Sequence, residues 1–179
     1  KVTSTDDGVK VEGSGQSFEG RYLIAADGVN SRIAQITGFN ERRYYYCNLY
    51  ALAWYMSGVE PPEPDVIMTT HGFPKGLGAM FFVVPRATEG NYSTLVTTVD
   101  PRLDLEAANG YFMKRESLAS WFKKAKKLRA LSAVCNCYSP IIEPYKDRVL
   151  VAGDVGSTQE LEITGAMISG WRAGQAVST

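Results

Sequence analysis

Two aspartates carry the chemistry this sequence can offer. Asp154 closes the run Asp147-Arg-Val-Leu-Val-Ala-Gly-Asp154, and Asp27 closes the run Arg21-Tyr-Leu-Ile-Ala-Ala-Asp27. Each follows a short apolar stretch, and each has a glycine beside it, Gly153 before Asp154 and Gly28 after Asp27. A carboxylate at the carboxyl end of a buried strand stands where open α/β sheets receive their ligands. Beyond Asp154 a loop runs from Val155 to Ile163, and Thr164-Gly165-Ala166-Met167 opens a helix. Unpaired N–H groups and a partial positive charge gather at such a start. Gly165 and Ala166 add no bulk, so a flat ring can approach the backbone there. The combination suits a bound cofactor.

Other chemistries find less support. Cys135-Asn-Cys137 would place two sulfurs on one face of a strand, but there is no second pair and only one histidine, so no metal site is expected. His71 lies in a Gly/Pro turn and reads as an ordinary turn residue. There is no Gly-x-Ser-x-Gly elbow, no P-loop and no Gly-x-Gly-x-x-Gly. Three cysteines, an odd number, argue against a disulfide framework and suit a reducing cytoplasm. The formal net charge is zero, which gives no footprint for nucleic acid. No apolar run approaches the roughly 20 residues of a membrane span.

The elements that must position the two aspartates can be read in order. Residues 1–26 read as β structure, with Asp6-Asp7-Gly8 as a plain hairpin turn and Ser17 to Glu19 continuing the meander. Arg21 to Ala26 is a continuous apolar run of the kind buried on both faces of a parallel sheet. Ser31-Arg32 opens a short helix that lasts to Gly38, so Asp27-Gly28 reads as a ligand-binding turn and not as a hairpin. Tyr44 to Ser57 is a long aromatic strand, with Tyr46 and Trp54 on one of its faces. One face packs on a core while the other lines a cavity, or both are core. Strands follow at Val66 to Thr70, Ala79 to Val84 and Tyr92 to Val99, joined by short turns in an antiparallel sheet.

Residues 102–130 read as helical. Leu118, Trp121, Phe122, Ala125 and Leu128 form an apolar stripe, with Lys123, Lys124, Lys126, Lys127 and Arg129 largely off it. That basic face is either solvated or in contact with a membrane surface or an anionic group. Leu131 to Tyr138 returns as a strand, and Arg148 to Ala152 is the strand that ends on Gly153-Asp154. The expected organisation is residues 1–38 and 139–179 as two partial layers of one domain, enclosing an antiparallel sheet domain at 39–138.

The two strand-end motifs together carry a resemblance. Tyr22-Leu-Ile-Ala-Ala-Asp27-Gly28-Val-Asn30-Ser31-Arg32 resembles the second FAD motif of the aromatic-hydroxylase superfamily of flavoproteins, and Asp147 to Asp154 resembles its third. Gly76-Leu-Gly-Ala-Met-Phe-Phe-Val-Val-Pro85-Arg86 with Tyr92 to Thr97 is similar to the substrate-domain strands of the geranylgeranyl reductase-like branch. Gly165-Ala-Met-Ile-Ser-Gly170 with Ala173 is similar to its helix start. The resemblance implies an α/β (α+β) fold, the remnant of an FAD-binding Rossmann-like domain with an antiparallel substrate domain.

It also implies a cofactor, FAD, held in the full-length protein, and an electron donor, NAD(P)H or another. Asp154 would accept hydrogen bonds from the ribityl chain, and the backbone of Thr164, Gly165, Ala166 and Met167 would approach the pyrimidine edge. Asp27 and Gly28 would lie near the pyrophosphate path, with Gly153 at the strand end. Tyr46 and Trp54 are the substrate-facing candidates.

The substrate implied is a hydrophobic small molecule, lipid or isoprenoid-like, and reduction comes before hydroxylation by a monooxygenase. A flavin-free binding module with the same fold is the alternative. The protein is expected in the cytoplasm, with or without a peripheral membrane contact. The glycine-rich turn that holds the ADP half of FAD in such proteins is not in this sequence, so the chain is expected to be a C-terminal part that binds FAD poorly by itself. The loop before Thr164 carries Gln159, Glu160 and Glu162 in place of the proline frequent in that superfamily. Acidic groups beside a flavin disfavour its anionic reduced form unless they point away.

Overall fold

The computed structural model describes residues 1–72, 78–156 and 162–178. The chain divides into two compact units, Lys1–Cys47 with Asn136–Thr179, and Asn48–Cys135.

The first unit begins with a three-stranded antiparallel meander: β1 (Val2–Ser4), β2 (Val9–Gly13) and β3 (Gln16–Gly20). A second small sheet follows from β4 (Leu23–Ala25). Helix α1 (Arg32–Ile36) comes directly after it. The partners of β4 arrive from the far end of the chain, β10 (Tyr145–Lys146) and β11 (Val149–Val151), in the order β10-β11-β4. Strands β11 and β4 are parallel, with Val151 opposite Ala25. Their buried residues Ala25, Val149 and Val151 share one core with Val9, Ala34, Phe39 and Val155.

The expectation of burial on both faces needs correction here. Side chains alternate along a strand, and the opposite face carries Ile24, which is 38% exposed. Strand β11 is also shorter at its start than the apolar run suggested. Asp147 and Arg148 have φ of 48° and 66°, so they form the two-residue turn from β10. Both central residues of such a hairpin turn need positive φ.

The second unit is built on a five-stranded sheet of β5 (Tyr45–Ser57), β6 (Met68–His71), β7 (Met80–Pro85), β8 (Asn91–Thr98) and β9 (Lys126–Tyr138), in the order β6-β7-β8-β5-β9. The β6–β7, β7–β8 and β8–β5 pairs are antiparallel. Helix α2 (Leu105–Met113) is capped by Asp104, whose Oδ1 accepts from Ala107 N at 3.0 Å. It packs Ala108 and Phe112 on Phe81, Val83, Tyr92, Val96 and Met56.

The basic helix expected around residues 118–129 does not exist. Ala119–Phe122 is one 3-10 turn, and β9 already begins at Lys126. Leu118, Trp121, Phe122 and Ala125 do reach the core. They do so from a chain of i+3 turns, Trp121 N to Leu118 O at 2.9 Å and Ala125 N to Phe122 O at 3.1 Å. From Lys126 onward, pairing beside β5 overrides helix propensity. Lys126, Lys127 and Arg129 then sit on an edge strand, where charge discourages further pairing. The membrane or anion contact assigned to a helical face therefore loses its element. No helix among the described residues is long and apolar enough to cross a membrane.

The turn between β8 and α2 has a pH signature. Asp100 accepts from Arg102 N and Nε at 2.9 Å through Oδ1, and from Arg102 NH2 at 2.8 Å through Oδ2. These hydrogen bonds hold the Asp100 carboxyl at about 2, below its ordinary 3.8. The folded state thus prefers the ionised form. Its contribution to stability is complete above the ordinary carboxylate range and is lost as pH falls through about 2. Asp100→Asn is expected to flatten the stability curve over that acid window. Urea midpoints measured against pH would show it, and identical slopes in the two proteins would refute it.

Candidate functional site

The parallel pairing brings the two sequence motifs together. Because Ala25 lies opposite Val151, and Ala152 N donates to Ala25 O at 2.9 Å, Asp27 and Gly153-Asp154 leave neighbouring strands at the same end. Gly28 has φ of 84° and Gly153 has φ of 67°, a backbone that side-chain-bearing residues rarely adopt.

The two carboxylates are used differently. Asp27 is committed within the chain. Its Oδ1 accepts from Ser31 Oγ at 2.6 Å, and its Oδ2 accepts from Arg32 N at 3.0 Å and Ile33 N at 3.4 Å. Ser31 is buried and caps α1, accepting from Ala34 N at 2.9 Å. Asp27 therefore shapes the turn that presents Gly28, and its oxygens are already occupied. Ser31→Ala removes the cap and the donor to Asp27, and should cost about 1–2 kcal/mol. A urea midpoint unchanged at constant slope would contradict it.

Asp154 is exposed, and its carboxylate accepts no hydrogen bond among the described residues. It stands in the 3-10 turn Gly153–Val155. An unspent carboxylate on a short rigid turn fits a ligand that carries hydroxyl donors.

Helix α3 (Glu162–Ser178) starts two residues earlier than Thr164. Thr164 still falls among the first N–H groups that lack an intrahelical partner, whereas the Gly165, Ala166 and Met167 N–H groups lie within the bonded rows. Gly165 is buried, Thr164 is exposed and Met167 is 69% exposed. Gln159, Glu160 and Leu161 lie outside the described residues, as do the side chain of Glu162 and the turn Phe73 to Gly76. A cleft of about 590 Å³ opens beside the helix, lined by Leu150, Gly153, Gly165, Ile168, Arg172 and Ala173 among others.

Two residues that sequence reasoning passed over hold this end together. Ser169 Oγ accepts from Gly153 N at 2.8 Å and donates to Gly165 O at 2.7 Å, so it ties the strand end to the helix. The signal was present: Gly165, Ser169 and Ala173 recur every four residues, a small-residue stripe that permits close approach. A Cβ on Gly153 would stand 3.5 Å from the Ala166 Cβ.

Arg43 is the second. Its Nε donates to Ser139 O at 2.9 Å, and its NH1 to Asn40 Oδ1 at 3.0 Å and Val155 O at 3.2 Å, with the guanidinium 4.8 Å from the Tyr138 ring centre. Burial pulls its pKa below the usual arginine value, and Tyr138 partly opposes that. It braces the residue that follows Asp154.

The substrate-facing candidates have the following surroundings. Trp54 packs against the core of the second unit, donates from Nε1 to Glu106 Oε1 at 3.4 Å and lies under Lys127 at 4.1 Å. Tyr46 is 64% exposed. His71 ends β6 with its carbonyl accepting from Arg115. No group of metal-binding side chains occurs among the described residues.

No family model matches the sequence, and no curated protein does. Solved structures do match. A geranylgeranyl bacteriochlorophyll reductase-like protein from Thermoplasma acidophilum superposes with a TM-score of 0.69 at 18% identity, over 97% of this chain and 46% of that one. The flavin-dependent brominase Bmp2 gives 0.67 at 19% identity, over 98% and 49%. Halogenase PltM in complex with phloroglucinol and FAD gives 0.61 at 16% identity, over 87% and 36%. The chain spans about half or less of the length of the structures it matches. Over that span it shares the mixed α/β fold, with antiparallel sheets, of these structures.

Proposed function

We propose that this chain is the substrate-domain-containing part of an FAD-dependent oxidoreductase that acts on a hydrophobic organic small molecule. One observation carries the reading. Asp27-Gly28 and Gly153-Asp154, distant in sequence, leave adjacent parallel strands side by side, and only one of the two carboxylates is left unspent. Asp154 would accept from the ribityl hydroxyls. The first turn of α3, at Thr164 and Gly165, would face the pyrimidine edge, with Ala166 and Met167 behind it. Gly28 would approach the pyrophosphate path through its backbone, while Asp27 holds that turn in shape. FAD supplies the redox chemistry, and the chain supplies position and a partial positive charge at the helix start.

The reaction type that we place first is reduction of a lipid or isoprenoid-like double bond, in line with the reductase-like structure among the similar folds. Oxygen-dependent chemistry comes second, in line with the halogenases. The electron donor would be NAD(P)H or another reductant. The test is flavin content. The full-length protein should purify yellow, or take up FAD stoichiometrically, while the 179-residue chain alone binds FAD more weakly than about 1 μM. A full-length protein that takes up no FAD would leave only the flavin-free binding module.

A further inference from the structure

The second unit carries a cationic cluster that the flavin reading does not use. Tyr55 lies on the face of the sheet opposite the one α2 covers, since its neighbours Trp54 and Met56 belong to the α2 side. Two guanidinium groups converge on its ring. Arg86, just past the end of β7, stands 4.7 Å from the ring centre, and Arg129 on β9 stands 4.1 Å from it. They come from opposite directions across the sheet, because β5 lies between β8 and β9. Two like charges held at one ring repel each other, and the ring's quadrupole offsets this only in part.

Among the described residues neither arginine forms an ion pair, whereas Arg102, Lys124 and Lys127 each have a carboxylate. Directly opposite Tyr55 in the β5–β8 register is Ser93, which is 7% exposed and whose hydroxyl has no hydrogen-bond partner. That hydroxyl belongs to the same face as Tyr55.

From this geometry we infer that Arg86, Tyr55 and Arg129 form a binding site for a phosphoryl anion. One carboxylate is satisfied by one guanidinium fork. Two forks carrying two positive charges match a dianion with three terminal oxygens, as in a phosphate monoester or a diphosphate. The Tyr55 ring is the common contact of both forks. The ligand carrying that group is either a soluble phosphate or the headgroup of a lipid. The assignment stands independently of the flavin.

The test titrates inorganic pyrophosphate into the protein by calorimetry and, in parallel, measures sedimentation with phosphatidylcholine vesicles with and without phosphatidic acid. Arg86→Gln and Arg129→Gln are compared with Tyr55→Phe, which keeps the ring, and circular dichroism checks that each variant is folded. Pyrophosphate binding that is saturable, weakened by salt, lost about tenfold or more in each arginine variant and kept in Tyr55→Phe supports the site and assigns a soluble phosphate. Binding only to vesicles that contain phosphatidic acid, lost in the same variants, supports it and assigns a headgroup. Binding to neither, or binding indifferent to both arginines, overturns it.

Discussion

Asp154→Ala in the full-length protein is expected to weaken FAD binding about ten- to a hundredfold while leaving the melting temperature of the flavin-free protein unchanged. The size follows from removing a charged acceptor from hydroxyl donors, worth about 1.5–3 kcal/mol per hydrogen bond. The lack of a stability effect follows from the position. Asp154 is exposed and holds no partner among the described residues, so its loss leaves no buried group unsatisfied. Asp154→Asn keeps one acceptor oxygen and should fall between the two. Flavin content by absorbance after gel filtration, paired with thermal melts, reads both quantities. Full flavin retention would remove Asp154 from the site, and a lowered melting temperature would make it a structural residue.

The largest stability effect is expected at Phe112→Ala. Phe112 and Phe81 are both fully buried and stack with ring centres 5.0 Å apart, and Phe122 meets Phe81 edge-on at 6.4 Å. Phe112 is the anchor of α2 on the sheet. On the same helix, Asn109 is fully buried, and both its side-chain polar atoms lack a partner among the described residues. The attachment therefore rests on apolar contact. Truncation should cost about 3–5 kcal/mol, a large share of the roughly 5–15 kcal/mol typical of a whole domain. Phe112→Leu should recover more than half. Equilibrium urea unfolding measures it, and a loss below about 1 kcal/mol would mean that α2 is held elsewhere.

The parts of this fold legible in the sequence are those where one local signal dominates. The alternation and aromatic content of Tyr44 to Ser57 gave β5 to within a residue. Ser31-Arg32 after an Asp-Gly pair marked the start of α1, and the apolar runs before Asp27 and Asp154 marked β4 and β11. The failures lie where two signals conflict. Leu118, Trp121, Phe122 and Ala125 have helical spacing and are buried as that spacing demands, yet they belong to consecutive tight turns. What decides their state is the pairing of the next residues with β5, which no local window contains. The turn at Asp147-Arg148 has positive φ without glycine or asparagine, so its chemistry was silent. For the site, the sequence showed which residues end the strands. It did not show that Asp27 is consumed by its own helix while Asp154 is not, because that depends on the 2.6 Å contact with Ser31.

The strand order also sets how the chain can reach its native state. Pairing β4 with β11 joins residues 23–25 to 149–151, and closing so long a loop first is entropically costly and slow. The middle of the chain offers a cheaper order. β5 and β9 are neighbours in one sheet, so once residues 48–135 have condensed, the two outer segments emerge next to each other, already clasped by Ser139 N to Tyr44 O at 2.7 Å. The loop that remains to be closed is then short. Assembly should run from the inside outward, with amides of β7 and β8 protected in pulse-labelled hydrogen exchange before those of β4 and β11. Simultaneous protection would exclude that order. The strand ends that carry Asp27 and Asp154 are then the last to form.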